Sequence, residues 1–71
     1  MTLDLRGVPC PLSFVRTKLR LEQIPTGEKL TVWLDGGEAI EQVPNSLMVE
    51  GHIIHSLTEQ DGFYELIVQR S

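Results

Sequence analysis

The chain has 71 residues, of which 41% are hydrophobic and 23% charged, and its formal net charge is -4. This length suits one domain, spanning residues 1–71, and the composition is that of a folded protein rather than a disordered one. No apolar stretch approaches the roughly 20 residues of a membrane span or resembles a secretion signal. A single cysteine cannot form a disulfide within the chain, which excludes a disulfide-stapled secreted domain. We therefore expect a cytoplasmic protein.

Charge is distributed unevenly along the sequence. Residues 1–20 carry a net charge of +3, whereas residues 21–71 carry -7. The overall acidity argues against a general nucleic-acid binder, so we expect no strong direct binding to nucleic acid. The basic segment contains the cysteine, Cys10, although its cations could equally form the solvated side of a helix.

The first half of the chain predicts a strand followed by a helix. Leu3 and Leu5 alternate with polar residues in "TLDLRG", as in a half-buried strand. A helix is predicted from Pro11 to about Gln23, because proline is tolerated at the first helical position. Its apolar residues form two faces, which makes the apolar surface wider than one stripe: Leu12, Val15 and Leu19 on the first, Phe14 and Leu21 on the second. Arg16 and Arg20 lie beside the first face.

The second half predicts a strand, a helix and a hairpin. "KLTVWLD" alternates strictly, and we interpret Trp33 as covering the second helix rather than as an exposed partner contact. After Gly36-Gly37 we expect a short helix that ends near Val43, since Pro44 lacks the N–H of a regular helix, followed by an irregular turn or a kinked piece. "HIIHSLTE" and "FYELIVQR" read as strands joined by a hairpin through Asp61-Gly62.

The order of these elements, βαβαββ, predicts an α+β fold. The simplest compact arrangement is a two-layer α/β sandwich, in which one four-stranded mixed sheet carries both helices on one face.

Cys10 lies directly before the predicted start of the first helix. The first N–H groups of a helix have no partner within it, and the helix dipole leaves partial positive charge there. Both effects favour the thiolate, which is the nucleophilic form of cysteine. Arg6 and Arg16 would add to this effect if the fold brings them near. The alternative is that Cys10 is a small apolar residue packed against the helix.

The sequence gives little indication of a catalytic base, a metal site or a phosphate-binding loop. His52 and His55 have no spacing that ties them to Cys10 as a catalytic base, and we interpret both as surface or half-buried residues. One cysteine and two histidines show no recognisable zinc-ligand spacing. Gly36-Gly37 reads as a turn rather than a phosphate-binding loop. The residues therefore predict no metal site and no cofactor.

The segment "LDLRGVPCPLSFVRTKL" resembles the N-terminal signature of the TusA-like (SirA-like) sulfur-carrier proteins. That signature combines an Asp-x-x-Gly segment with a Cys-Pro-x-Pro motif at the start of the first helix, and the matching positions are Asp4, Gly7, Cys10 and Pro11. The likeness continues through "GEKLTVWLD" and "EGHIIHS" and covers nearly the whole chain. Ser13 departs from the pattern, because it replaces the second proline of the motif.

The resemblance implies a sulfur carrier with sulfurtransferase character. A cysteine desulfurase would place a persulfide on Cys10, and an acceptor protein would take the outer sulfur for tRNA thiolation, molybdenum cofactor maturation or other sulfur metabolism. Asp4, Arg6, Gly7, Pro11 and Arg16 are the expected supporting residues, and we expect a monomer. Two alternatives stay open: a non-enzymatic regulator or adaptor on the same fold, which Ser13 motivates, and RNA binding by the basic segment, which the net acidity disfavours.

Overall fold

The computed structural model of the protein describes residues 2–9 and 11–71. Within them the elements run β1 (Thr2–Asp4), α1 (Leu12–Gln23), β2 (Lys29–Leu34), α2 (Glu38–Val49), β3 (Ile53–Glu59) and β4 (Tyr64–Gln69). The strands form one sheet in the order β1-β2-β4-β3, in which β1 is parallel to β2 and the other pairs are antiparallel. The predicted order βαβαββ and the mixed four-stranded sheet are confirmed.

The hydrophobic core lies between the sheet and the two helices. On the central strands Leu30 pairs with Val68 and Val32 pairs with Leu66, and all four side chains are fully buried. Alternate residues of a strand point to the same side, so this face of the sheet is continuous and apolar. Both helices contribute to the same core cluster, with Leu21 and Ile24 at the end of α1, and Ala39, Val43 and Leu47 from α2. Both helices therefore pack on one face, as predicted.

The last two strands form the predicted hairpin. The N–H of Gln60 donates to the carbonyl oxygen of Phe63 at 2.7 Å. Gly62 has a φ of +87°, a conformation that glycine adopts without steric cost. The pairing register shifts between Ile54 and Ser56, which leaves His55 as an extra residue in β3. Strand β3 forms one edge of the sheet and most of its residues are exposed.

Helix α1 begins one residue later than predicted, with Pro11 as its N-cap residue. The buried positions are Ser13, Thr17 and Leu21, which are spaced by four residues and form the side that faces the core. The Thr17 hydroxyl donates to the carbonyl oxygen of Ser13 at 2.8 Å. The Ser13 hydroxyl is also buried, but it has no hydrogen-bond partner among the described residues.

The first apolar face predicted for α1 points away from the core. Leu12, Val15 and Leu19 have 47%, 42% and 53% of their surface exposed. We refer to these three residues as the outer stripe. Their periodicity predicted the helix correctly, but the side of the helix that faces the core carries Ser13, Thr17 and Leu21 instead. Among the described residues, neither helix is long and apolar enough to cross a membrane.

Helix α2 does not end near Val43, so that prediction is wrong. The helix is continuous from Glu38 to Val49 and contains Pro44 in its interior. Pro44 is buried beside Val43 and Leu47, so the proline ring lies on the side of the helix that packs into the core. The side-chain amide of Asn45 donates to the carbonyl oxygen of Glu41 at 2.8 Å. Packing of this apolar side offsets the backbone hydrogen bond that proline cannot form.

Trp33 does not cover the second helix, and that interpretation is also wrong. Its neighbours Val32 and Leu34 are buried in the core, so Trp33 projects from the opposite face of the sheet. There its ring contacts Phe63, with the centroids 5.1 Å apart, and its indole N–H donates to Glu65 at 3.3 Å. The tryptophan thus covers part of the sheet face that carries no helix.

The last residues of β4 and its continuation hold the far end of α1. The guanidinium group of Arg70 donates to the carbonyl oxygens of Glu22 and Ile24. The Arg70 backbone also exchanges hydrogen bonds with the turn after α1, accepting from Gly27 at 2.8 Å and donating to Glu28 at 2.9 Å. The C-terminal carbonyls of α1 are therefore bound by a cation, as the helix dipole favours.

Candidate functional site

The loop that leads from β1 to Cys10 is held at several points. Leu5 is 2% exposed, and its N–H donates to the carbonyl oxygen of Trp33 at 2.9 Å. Gly7 has a φ of +82°, and its N–H donates to the carboxylate of Asp35 at 2.5 Å. Because β1 and β2 are parallel, their carboxyl ends lie at the same edge of the sheet, and this places Asp35 beside the loop. The loop is thus fixed to the end of β2.

Arg6 is bound on the face of the sheet opposite the helices. Its guanidinium group makes a two-point contact with Asp4, with distances of 3.0 Å and 2.9 Å. The same group lies 4.9 Å from the ring centroid of Trp33 and 5.0 Å from that of Phe63, within the range of a cation–π contact. The hydrogen bonds from Arg6 lower the pKa of Asp4 to about 2. The Arg6 charge is therefore largely compensated by Asp4.

Among the described residues, no side chain of α1 caps its N-terminus or compensates the positive end of its helix dipole. Pro11 provides no side-chain hydrogen bond to cap the helix, and the first turn contains no acidic residue. The N–H of Ser13 donates to the carbonyl oxygen of Pro9 at 3.1 Å, and that of Val15 donates to Pro11 at 3.1 Å. No carboxylate of the first turn competes for the positive end of the helix dipole.

Cys10 lies outside the described residues, between Pro9 and Pro11 in the sequence. The expected supporting residues fall into two groups around this position. Gly7 and Pro11 belong to the backbone on either side of Cys10, whereas Asp4 and Arg6 pair with each other on the open sheet face. Arg16 is exposed on α1, one position after Val15 of the outer stripe.

Three residues of this region were not identified from the sequence. Asp35 binds the Gly7 amide, and Trp33 with Phe63 holds the Arg6 guanidinium group. A polar residue at the end of a strand that pairs in parallel with β1 is the signal that could have identified Asp35. The aromatic contacts bring together residues that are 27 to 57 positions apart, and nothing in local sequence spacing indicates them.

Both histidines have partners near the end of β4. The ring Nδ1 of His52 accepts a hydrogen bond from the Ser71 N–H at 3.4 Å, and His55 Nε2 lies 2.6 Å from the side-chain oxygen of Gln69. In the part of the chain that the structure describes, no group of three His, Cys, Asp or Glu side chains is arranged to hold a metal ion.

Comparison with known proteins gives one family match and several related sequences that agree with it. The family model described as sulfurtransferase TusA matches residues 1–70. A candidate sulfur carrier protein of Neisseria meningitidis is 38% identical over 68 residues, covering 96% of this chain and 92% of that protein. Another from Archaeoglobus fulgidus is 46% identical over 55 residues, which cover 78% of this chain and 62% of that protein.

The fold is also similar to that of solved structures. The crystal structure of a SirA-like protein from Desulfitobacterium hafniense superposes with a TM-score of 0.82 at 23% identity, covering 96% of this chain and 93% of that one. A solution structure of a Helicobacter pylori protein gives a TM-score of 0.75 at 14% identity, covering 99% and 96%. At these identities the likeness concerns the fold alone. The family match over residues 1–70 and the sequence relatives show that the chain belongs to the TusA sulfurtransferase family.

Proposed function

We propose that the chain is a cytoplasmic sulfur carrier that accepts sulfur as a persulfide on Cys10 from a cysteine desulfurase and passes it to an acceptor protein. The observation that carries this proposal is the start of α1, which follows Cys10-Pro11 with no side-chain cap and no acidic residue in its first turn. Such a helix end favours an anion, and the thiolate is the reactive form of cysteine. Membership of the TusA family supplies the reaction class.

The transfer consists of two thiolate–persulfide exchanges. In the first, the Cys10 thiolate attacks the outer sulfur of the persulfide on the donor's cysteine. A new S–S bond forms on Cys10, the donor's S–S bond breaks, and the donor's cysteine leaves as a thiolate. In the second, a thiolate of the acceptor attacks the outer sulfur on Cys10, and Cys10 leaves as a thiolate. Each step conserves electrons, so the carrier needs no redox cofactor.

The residues around Cys10 support these exchanges by fixing the backbone. Gly7, bound to Asp35, and the two prolines that flank Cys10 limit the conformations of the loop. The Asp4–Arg6 pair holds the start of this loop against the open sheet face. Arg16 adds positive charge to α1 without an ion-pair partner among the described residues. Limited conformational freedom of the loop and positive charge on the adjoining helix would both favour an anionic sulfur.

Intact mass spectrometry tests the proposal. The protein is incubated with a cysteine desulfurase and cysteine, and its mass is measured without reductant. We expect a gain of one sulfur atom that reductant removes and that the Cys10→Ala variant does not show. If the mass does not change, or if Cys10→Ala gains sulfur equally, the carrier function is wrong. If Cys10 does gain sulfur, addition of acceptor systems for tRNA thiolation or molybdenum cofactor maturation identifies the pathway that receives it.

Ser13 favours a second candidate, a regulator or adaptor that does not transfer sulfur. Ser13 replaces the second proline of the family motif, and its hydroxyl is buried without a partner in the described part of the chain. Under this alternative, Cys10→Ser would leave partner binding and the cellular phenotype intact. Loss of the phenotype in that variant would exclude the adaptor function.

A further inference from the structure

We propose that Ser13 is a catalytic hydrogen-bond donor, whose hydroxyl binds the Sγ atom of Cys10 when that sulfur carries negative charge. This inference rests on the proposed sulfur-carrier function and adds one residue to its chemistry. When an acceptor thiolate attacks the outer sulfur, the S–S bond breaks and Sγ leaves as a thiolate. The Ser13 hydroxyl would stabilise the charge that develops on Sγ, and it keeps its own proton throughout.

The first argument is the burial of the Ser13 hydroxyl without a partner. Ser13 is 0% exposed, and its oxygen is the one buried side-chain nitrogen or oxygen without a hydrogen-bond partner in the described part of the chain. Most buried polar side-chain atoms in proteins are paired, and an unpaired one lowers stability. The fold alone therefore gives no reason for a hydroxyl at this position.

The second argument is the contrast with Thr17, one turn later on the same buried side of α1. The Thr17 hydroxyl donates to the carbonyl oxygen of Ser13, four residues earlier, which is a common arrangement for a hydroxyl within a helix. The equivalent carbonyl for Ser13 is that of Pro9. It accepts the Ser13 N–H at 3.1 Å, but it is not bonded to the hydroxyl. The Ser13 hydroxyl thus remains available to another acceptor.

The third argument is the spacing between Ser13 and Cys10. The hydrogen bond from the Ser13 N–H to Pro9 closes a turn of the helical type, and Cys10 falls within that turn in the sequence. Side chains three positions apart in a helical turn are neighbours, with Cβ atoms about 5–6 Å apart. The Cβ–Oγ and Cβ–Sγ bonds span much of this distance. Of the two residues outside the described ranges, Cys10 is also the nearer in sequence.

The fourth argument is the chemistry of the acceptor. A neutral thiol accepts hydrogen bonds weakly, whereas bonds to an ionised acceptor are about twice as strong as neutral ones. The burial cost of the hydroxyl therefore stays largely uncompensated in the thiol form and is offset once Sγ ionises. A donor placed where charge develops accelerates the step that creates the charge, and a thiol of lower pKa leaves faster.

Other charged groups lie near the loop that contains Cys10. Asp35 and Glu38 line an open cleft of about 350 Å³ together with the loop residues before Cys10, and Arg16 is exposed on α1. The two carboxylates favour the neutral thiol and Arg16 favours the thiolate. None of the three is hydrogen-bonded to the Ser13 hydroxyl. All three are unchanged in the variants below, so a comparison among these variants isolates the hydroxyl.

The first test measures the pKa of Cys10 from the rate of alkylation against pH. The proteins compared are the wild type, Ser13→Ala, Ser13→Thr, which retains a hydroxyl, and Thr17→Val, which removes a hydroxyl that already has an acceptor. Circular dichroism first confirms that each is folded. We expect the pKa of Cys10 to rise by about 0.5–1 unit in Ser13→Ala and by less than about 0.2 unit in the other two variants.

The second test measures departure of the Cys10 thiolate directly. Each protein is loaded with glutathione persulfide, whose outer sulfur moves to the Cys10 thiolate as glutathione thiolate leaves. Cyanide then takes the outer sulfur as thiocyanate, and Cys10 leaves as a thiolate. We expect thiocyanate to form about fivefold more slowly from Ser13→Ala, and within about 1.5-fold of the wild-type rate from Ser13→Thr and Thr17→Val.

The outcomes separate this inference from the carrier function. Wild-type protein that gains sulfur but releases it at the same rate as Ser13→Ala retains the carrier function and excludes the role of Ser13, whatever the pKa of Cys10 does. Equal slowing in Ser13→Ala and Thr17→Val excludes that role too, because the effect would then come from helix packing. Wild-type protein that gains no sulfur from either glutathione persulfide or a desulfurase loses the carrier function, and the role of Ser13 with it.

Discussion

The two helices have the same length of 12 residues but opposite relations to the core. Helix α2 buries Ala39, Val43 and Leu47, and two carboxylates, Glu38 and Glu41, lie in its first turn. Helix α1 buries Ser13 and Thr17 together with Leu21, exposes Leu12 and Leu19, and has no acidic residue in its first turn. Helix α2 thus buries the apolar residues of its middle and carries acidic side chains at its positive end, although Met48 and Val49 in its last turn are exposed. The two helices therefore differ mainly in the charge of their first turn and in the polarity of the residues that they turn towards the core.

The largest expected effect is a difference in the free energy of unfolding between truncation of a buried residue of α2 and truncation of an exposed residue of α1. Leu47→Ala removes a fully buried side chain of α2 and is expected to lower the free energy of unfolding by about 2–5 kcal/mol. Leu19→Ala removes an exposed side chain of α1 and is expected to change it by less than about 0.5 kcal/mol. Urea denaturation at pH 7 measures both. A comparable loss in the two variants would mean that α1 also packs its outer stripe into the fold.

The next effect concerns Ser13, one of the two polar residues that α1 buries. Ser13→Ala removes a buried hydroxyl without a partner in the described residues and improves helix propensity, so we expect stabilisation of about 1 kcal/mol. Thr17→Val serves as the control, since the Thr17 hydroxyl does have an acceptor, and it should give no gain. If Ser13→Ala destabilises the protein, the hydroxyl must bind a group outside the described residues, of which Cys10 is the nearest in sequence.

A third prediction makes the start of α1 resemble that of α2. Leu12→Glu places a carboxylate in the first turn of α1, as Glu38 does in α2. We expect the pKa of Cys10 to lie below the free value of about 8.5 and to rise by roughly 0.2–0.7 units in this variant. The rate of alkylation against pH measures it. Leu19→Glu adds the same charge at a distance from Cys10 and should shift the pKa less; an equal shift would contradict the role of the helix start.

The smallest effect concerns Asp4, the acidic residue that precedes α1. The pKa of Asp4 is lowered to about 2 in the folded protein by hydrogen bonds from Arg6, against an ordinary value of 3.8. A lowered pKa contributes stability that is present above about pH 3.8 and is lost as the pH falls towards 2. Asp4→Asn should therefore flatten the dependence of stability on pH between these values, as followed by thermal unfolding. Because the pair is exposed, the change will be small. An unchanged pH profile would show that Asp4 is not engaged in solution.

Most of the fold followed from local patterns in the sequence. Alternation in "KLTVWLD" and the turn at Asp61-Gly62 specified strands and hairpin correctly, because both depend on neighbouring residues. The direction of the outer stripe did not follow, since periodicity shows that Leu12, Val15 and Leu19 share a face but not whether the sheet lies there. Pro44 misled the prediction of α2 for a similar reason: its cost is local, and the packing that compensates for it is tertiary. Trp33 alternated correctly, yet its partner Phe63 comes from another strand.

The candidate site was predictable only in part. The segment from Asp4 to Pro11 carried the family signature, and the start of α1 was placed within one residue. The contacts that hold this segment come from Asp35, Trp33 and Phe63, which the parallel pairing of β1 with β2 and the pairing of β2 with β4 bring close. Such pairings depend on the whole topology, so no spacing within the motif reveals them.

The binding of Arg70 to the far end of α1 makes the two ends of this helix unequal in rigidity. The last carbonyls are held by a guanidinium group from β4's continuation, whereas the first turn has no side-chain cap. Fraying should therefore begin at the N-terminal turn, and amide hydrogen exchange should slow progressively towards Leu21.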